Sequence, residues 1–169
     1  MASIIFFLFV VIVGILSSVN TSYGEETLAQ PTLFVTAVIA PYTNSELSTE
    51  SITFRVTAAP RVHQADQSVV VTISSNYGGW ELKCYASPLE GRMGQISPQQ
   101  IFVKGPLTKG KGEGELADFV SLSGEVVVDR GPQPPQGKKV TLEFKLKTTS
   151  QDQPGSYTGK IHFTYLVIP

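Results

Sequence analysis

The C-terminal stretch of the chain constrains the fold most, because its side chains alternate between apolar and polar. After the turn signal Pro154-Gly155, one parity carries Tyr157, Ile161, Phe163, Tyr165 and Val167. The other parity carries Ser156, Thr158, Lys160, His162 and Thr164. Successive side chains of a strand point to opposite faces, so this pattern predicts a long strand with one buried face and one wet face. A single strand cannot bury its apolar face alone, so the upstream chain must supply sheets that cover it.

Upstream, short runs typical of strands recur between turn signals. Alternating or apolar runs occupy residues 52–58, 69–73, 80–86, 101–103, 119–122, 125–128 and 140–147. Residues 33–39 (LFVTAVI) are apolar on both parities and predict a first strand that is covered on both sides, followed by a polar connection over residues 41–51. No long segment has a helical period. We therefore predict an all-β fold, an antiparallel β-sandwich of about eight or nine strands in a single domain.

The Gly78-Gly79 pair lies between two alternating runs. Two consecutive glycines at such a point predict a β-hairpin. In the returning strand, Trp80, Leu82, Cys84 and Ala86 share one parity and are expected to face the core. Residues 87–98 and 105–115 contain glycine or proline without an apolar period, and are predicted to be loops.

The N-terminus has the pattern of a signal peptide. Residues 4–16 (IIFFLFVVIVGIL) form a short apolar run, and small polar residues follow it. A membrane-spanning helix needs about 20 apolar residues, whereas a signal-peptide core needs about 7 to 15. We predict a signal peptide over residues 1–24, cleaved after Gly24, and a single mature domain over residues 25–169. An earlier cleavage after Ser18 and an uncleaved membrane anchor are the alternatives, because no Lys or Arg precedes the apolar run.

The charge balance restricts the partners. The chain has 13 Lys and Arg against 14 Asp and Glu, which gives a net charge of −1. A nearly neutral protein lacks the positive field that attracts nucleic acid or an anionic membrane surface. We therefore expect neither nucleic acid nor, after signal cleavage, a membrane as partner.

No catalytic, cofactor or metal motif is complete. Residues 105–112 (GPLTKGKG) approach the phosphate-loop pattern, but Gly112 replaces the hydroxyl residue that holds magnesium. His63 and His162 are far apart and lack metal-ligand spacing, and the acidic residues around Glu113 lack the density of a calcium loop. We predict no enzyme activity, no cofactor and no metal, although a pair of carboxylates that meets only in space stays open.

Three aromatic residues surround the Gly78-Gly79 pair: Tyr77, Trp80 and Tyr85. Aromatic faces at the edge of a sandwich can stack on sugar rings, so these residues are candidate ligand contacts. For Trp80 the alternative is a core anchor, since large aromatic residues dominate core burial. Cys84 is the single cysteine, and it is interpreted as a buried thiol or, alternatively, as a candidate intermolecular disulfide partner.

Two segments of the sequence resemble a known class of proteins. Residues 154–164 (PGSYTGKIHFT) and 75–82 (SNYGGWEL) are similar to the C-terminal strand and the Asn-to-Trp hairpin of bacterial exported Ig-like β-sandwich surface proteins, of the spore-coat, fimbrial and WxL-like types. The resemblance implies a non-enzymatic cell-surface or appendage subunit that assembles with like domains.

These observations predict an extracytoplasmic protein, whether secreted, periplasmic or on the cell surface. Its expected role is a structural or adhesive module that associates with other surface or appendage proteins, or with itself. Strand addition across an exposed sheet edge is the expected mode, with the polar residues 25–31 as a candidate donor segment. The alternative is a carbohydrate-binding module that uses the exposed aromatic residues near the Gly78-Gly79 hairpin.

Overall fold

The structure of the protein is a computed structural model that describes residues 35–110 and 113–168. The chain divides into two units, Met1–Val38 and Ile39–Pro169. The first unit is described only at residues 35–38, which are exposed and have no regular secondary structure. The predicted signal peptide over residues 1–24 and the polar lead-in over residues 25–31 lie outside the described residues. No helix in the described ranges is long and apolar enough to cross a membrane.

The second unit is built from short strands and two 3₁₀ helices. The strands are β1 (Thr43–Leu47), β2 (Val62–Gln64), β3 (Val69–Ser75), β4 (Gly79–Ala86), β5 (Leu89–Gly91), β6 (Gly94–Ile96), β7 (Ile101–Lys104), β8 (Val120–Ser121), β9 (Val126–Gly131), β10 (Lys138–Lys147), β11 (Tyr157–Thr158) and β12 (Ile161–Ile168). The 3₁₀ helices cover Pro98–Gln100 and Gly114–Leu116. The described chain is therefore all-β, as predicted, but its described residues form twelve strands rather than the predicted eight or nine.

The largest sheet, called here the large sheet, is organised around β10. Its strands run in the order β1-β3-β10-β7-β8, and β2 also pairs with β10. All of these pairs are antiparallel. The alternation that predicted a strand over residues 140–147 is confirmed, since Val140, Leu142, Phe144 and Leu146 are buried.

A second sheet of three strands, called here the facing sheet, runs in the order β12-β4-β9. The register of β4 against β9 shifts between Leu82 and Lys83. This irregularity explains why the consecutive residues Val128 and Asp129 are both buried, although a regular strand alternates its faces. A small third sheet has the order β11-β5-β6. The predicted single long C-terminal strand is therefore wrong, because β11 belongs to this sheet and β12 to the facing sheet.

The buried faces of the large sheet and the facing sheet share one hydrophobic core. Residues of β3, β7 and β10 belong to the same buried cluster as residues of β4 and β9. In β4, Trp80, Leu82, Cys84 and Ala86 are all buried, so their predicted common face is confirmed. Two antiparallel sheets around one core have the arrangement of a β-sandwich.

The Gly78-Gly79 pair does not form the predicted hairpin. The strands on its two sides, β3 and β4, belong to different sheets. Gly78 has a φ of 67°, and a Cβ atom at this position would lie 2.6 Å from the carbonyl oxygen of Ile168. Glycine fits this position because the backbone adopts a left-handed conformation and passes close to another backbone segment where the chain crosses between the sheets.

The predictions of strands over residues 33–39 and 52–58 are also wrong for the residues that the structure describes. Residues 33 and 34 lie outside the described residues, and residues 35–39 form no strand. Instead, Val35, Val38 and Ile39 are 82%, 93% and 81% exposed. Residues 52–58 contribute only an isolated bridge between Phe54 and Ala65. A run of strand-forming residues does not become a strand without a partner to complete its backbone hydrogen bonds.

Three predicted connections contain regular structure. The polar connection over residues 41–51 includes β1, the predicted loop over residues 87–98 includes β5 and β6, and the loop over residues 105–115 meets a 3₁₀ helix at Gly114. Strand β1 was missed because its sequence, TNSEL, does not alternate between apolar and polar, and all five of its residues are exposed.

Candidate functional site

The first component of the candidate site is the free edge of β12. This strand pairs only with β4 among the described strands. Ala86 lies opposite Ile161, yet the Ala86 N–H donates to the Leu122 carbonyl, on the other side of β4, over 3.4 Å. Opposed residues in an antiparallel ladder alternate between bonded and non-bonded pairs. The register therefore directs the peptide groups of Ile161, Phe163, Tyr165 and Val167 away from β4, toward the free edge.

The second component is the free edge of β1. This strand ends the large sheet and pairs only with β3 in the described part of the chain. Just beyond it, the Ser48 N–H donates to the Val70 carbonyl over 2.9 Å. By the same alternation, the peptide groups of Thr43, Ser45 and Leu47 face away from β3. Both sheets thus present an edge with unused backbone donors and acceptors.

An open groove of about 390 Å³ connects these two edge strands. Its lining comes from β1, β3 and β12: Ser45, Glu46, Leu47, Val71, Ile161, His162, Phe163 and Tyr165. We call this surface the edge groove. Val71 is only 1% exposed, whereas Leu47, its register partner on β1, is 46% exposed. The described residues therefore leave the inner side of β1 uncovered, so the core is open along this side.

The inner face of β12 is correspondingly incomplete. Ile161, Phe163 and Tyr165 pack against the core but are only partly buried. The hydroxyl oxygen of Tyr165 is buried and has no hydrogen-bond partner among the described residues. Burial raises the pKa of Tyr165, and the nearby Ser75 side chain partly opposes that rise. The edge groove thus offers incompletely covered apolar side chains and free peptide groups.

The comparisons with known proteins leave the family open. No protein-family model matches the chain, and no curated protein matches its sequence. The functional assignment therefore depends on the geometry of this chain's own residues.

The predicted aromatic contacts do not form one platform. Trp80 is only 4% exposed, so it is a core residue and cannot stack on a ligand at the surface. Tyr77 and Tyr85 are 41% and 36% exposed, but Tyr77 precedes β4, whereas Tyr85 lies near its far end, about 20 Å from Gly79 at 3.3 Å per residue. A single sugar ring cannot contact both tyrosines.

Sequence reasoning missed a different aromatic pair on the outer face of the facing sheet. Tyr85 stacks on His162, with ring centroids 4.6 Å apart and an angle of 13° between the rings. The two residues are direct register partners on β4 and β12. The alternation of apolar and polar residues in the sequence already places Tyr85 and His162 on the outer faces of their strands. The sequence does not show that the two residues lie side by side, because that depends on how two distant segments pair.

Cys84 is fully buried at the centre of β4. Burial raises the pKa of its thiol to about 12. At neutral pH the thiol is therefore protonated as well as inaccessible, and both conditions oppose thiol–disulfide exchange. In this fold Cys84 is a core residue and cannot reach a partner molecule to form an intermolecular disulfide.

The acidic residues serve mainly in local contacts. Glu46 lines the edge groove and accepts a hydrogen bond from the Asn44 side chain over 3.1 Å. Asp118 lies 3.3 Å from the Lys104 ammonium. Within residues 35–110 and 113–168, no group of three potential metal-binding side chains comes together.

Proposed function

We propose that this protein is an exported, Ig-like β-sandwich subunit with a structural or adhesive role, which associates with surface or appendage proteins through the edge groove. The observation that carries the proposal is the pair of free strand edges, β1 and β12, that flank the edge groove. An added strand would satisfy the free peptide groups and cover the half-buried side chains in one step.

The sequence of β12 supports this proposal. Exposed edge strands of monomeric proteins are usually protected by charged residues, proline, bulges or short length. Strand β12 covers eight residues, IHFTYLVI, and contains no Asp, Glu, Lys, Arg or Pro. Its pairing with β4 runs without a register shift. Such an edge favours association with another strand rather than contact with water alone.

Export is part of the same proposal. Its support is the short apolar run over residues 4–16, which is followed by small polar residues. The all-β fold also needs no disulfide, since the single cysteine is buried in the core. An extracytoplasmic location, secreted or on the cell surface, would place the edge groove where other envelope subunits are available.

The proposed function is tested by placing a charge in the edge groove. Leu47→Lys puts an ammonium group on the uncovered inner side of β1, where a partner would have to bury it. We expect association to weaken by about tenfold or more, because burying an apolar side chain contributes roughly 1.5–3 kcal/mol. The measurement is the native mass of the protein recovered from the producing cells, as a function of concentration.

Leu107→Lys is the matched control for this experiment. Leu107 is 42% exposed, close to the 46% of Leu47, but it lies outside the edge groove. We expect its native mass to equal that of the unaltered protein. An equal loss of association in both variants, or in neither, would contradict assembly through the groove.

A sugar-binding role is the second candidate, and the Tyr85–His162 stack is the observation that favours it. The pair presents a partly exposed ring on the outer face of the facing sheet. Tyr85→Ala should then remove glycan binding without unfolding the domain, whereas Tyr77→Ala, near the opposite end of β4, should leave it unchanged. Glycan binding that persists in Tyr85→Ala would contradict the assignment of the Tyr85–His162 pair as the glycan site.

A further inference from the structure

The edge groove has the length of one extended segment. The free peptide groups of β12 extend from Ile161 to Val167, which is a span of about 20 Å at 3.3 Å per residue. A strand added there would lie beneath β1 and cover Leu47 together with the partly buried side chains of β12. The occupant must therefore be an extended segment of about seven residues with one continuous apolar face.

One segment of the chain itself meets this description. Val35, Val38 and Ile39 are 82%, 93% and 81% exposed, and residues 35–39 pair with no strand in the described structure. With the two preceding residues, the segment reads LFVTAVI over residues 33–39. One parity is apolar throughout: Leu33, Val35, Ala37 and Ile39. The other parity carries Phe34, Thr36 and Val38, of which only Thr36 is polar.

We propose that residues 33–39 of a second copy of this chain add as a strand to the free edge of β12 and direct their apolar parity into the edge groove. This inference rests on the proposed function, since it names the partner for the same groove. It also names residues 33–39 as the donor segment in place of the polar residues 25–31, because Leu47, Phe163 and Tyr165 are incompletely covered apolar side chains that an apolar strand face would bury.

The contacts of Asn76 explain why the occupant comes from a second copy. The Asn76 side chain accepts from the Tyr42 N–H and donates to the Ala40 carbonyl, each over 2.9 Å, and its own N–H donates to the Tyr42 carbonyl over 3.4 Å. These bonds continue the β1–β3 ladder and hold residues 40–42 in line with β1. Turning residues 33–39 back along the chain's own β1 would break them, because only three residues separate the two segments.

The resulting association is head-to-tail. The donor segment and the edge groove are different surfaces of the same chain, so each copy can accept one neighbour and donate to another. A heterologous contact of this kind forms an open chain unless its rotation closes a ring. The expected product is a ladder of native masses rather than a single dimer.

The test compares two substitutions in the donor segment, Val35→Asp and Val38→Asp. Both valines are highly exposed in the described structure, so neither change disturbs the core. Val35 belongs to the parity that enters the groove and Val38 to the opposite parity. We expect Val35→Asp to weaken self-association by about a hundredfold or more, because it would bury a carboxylate, and Val38→Asp to weaken it by less than about fivefold.

The readout is the native mass of purified protein over a range of concentrations, with Leu47→Lys measured in parallel. Loss of the ladder in Val35→Asp and Leu47→Lys, but not in Val38→Asp, is the result we expect. A ladder that survives Val35→Asp but not Leu47→Lys would overturn the donor assignment and leave the proposed function intact, with a different strand as occupant. A ladder that survives both, or a protein that stays monomeric throughout, would overturn both proposals.

Discussion

Replacing Phe144 with alanine is expected to lower the free energy of unfolding by about 3–5 kcal/mol. Phe144 is fully buried near the middle of β10, the strand at the centre of the large sheet. Its removal takes away apolar burial and leaves a cavity between two sheets that cannot fully collapse. Because a domain is usually stable by only about 5–15 kcal/mol, this change is close to the limit that the fold tolerates.

Phe102→Ala is the matched control for Phe144→Ala. Phe102 lies on the neighbouring strand β7 and belongs to its partly exposed parity. We expect a loss of about 1 kcal/mol there, since less apolar surface leaves water. Denaturant titration followed by the fluorescence of Trp80, the single tryptophan, measures both values in protein dilute enough to be monomeric. Equal losses in the two variants would contradict a core that lies between the sheets.

The alternation of side chains along a strand was predictable from the sequence. The buried parities of β3, β4 and β10 follow directly from the spacing of Val69, Leu82 and Phe144 and their neighbours. Parity is local, because it depends only on the pleat of one strand. It therefore indicates which residues face the core, although it leaves open which strand lies beside which.

Strand pairing was not predictable, because it depends on segments that are distant in the chain. Gly78-Gly79 has the composition of a hairpin turn, yet the glycines carry the chain from the large sheet to the facing sheet. The stack of Tyr85 on His162 depends on the register of β4 against β12 in the same way. Neither the crossing nor the stack leaves a local signal in the sequence.

The edge groove combines a predictable part with an unpredictable part. The apolar parity of Phe163 and Tyr165 was evident from the sequence, but their incomplete burial was not. That incomplete burial arises because, among the described strands, β12 ends its sheet and none covers the inner side of β1. Residues 33–39 have the composition of a strand, and the described part of the segment, residues 35–39, pairs with none. A strand edge and a segment that both lack a partner within residues 35–110 and 113–168 together favour an intermolecular contact.

Amide hydrogen exchange along β12 should show this contact residue by residue. The N–H groups of Phe163, Tyr165 and Val167 point toward the free edge, whereas those of His162, Thr164 and Leu166 already face β4. On assembly, we expect exchange of the first set to slow by about a hundredfold or more, which corresponds to roughly 3 kcal/mol of opening free energy. The second set is protected in both states and serves as an internal control.

The decisive measurement is therefore the exchange rate of these amides in assembled protein and in protein dispersed by dilution. We predict that protection on assembly appears at residues 163, 165 and 167 and leaves the intervening residues almost unchanged. Assembly that leaves the amides of Phe163, Tyr165 and Val167 exchanging as fast as in the dispersed protein would contradict strand addition at β12.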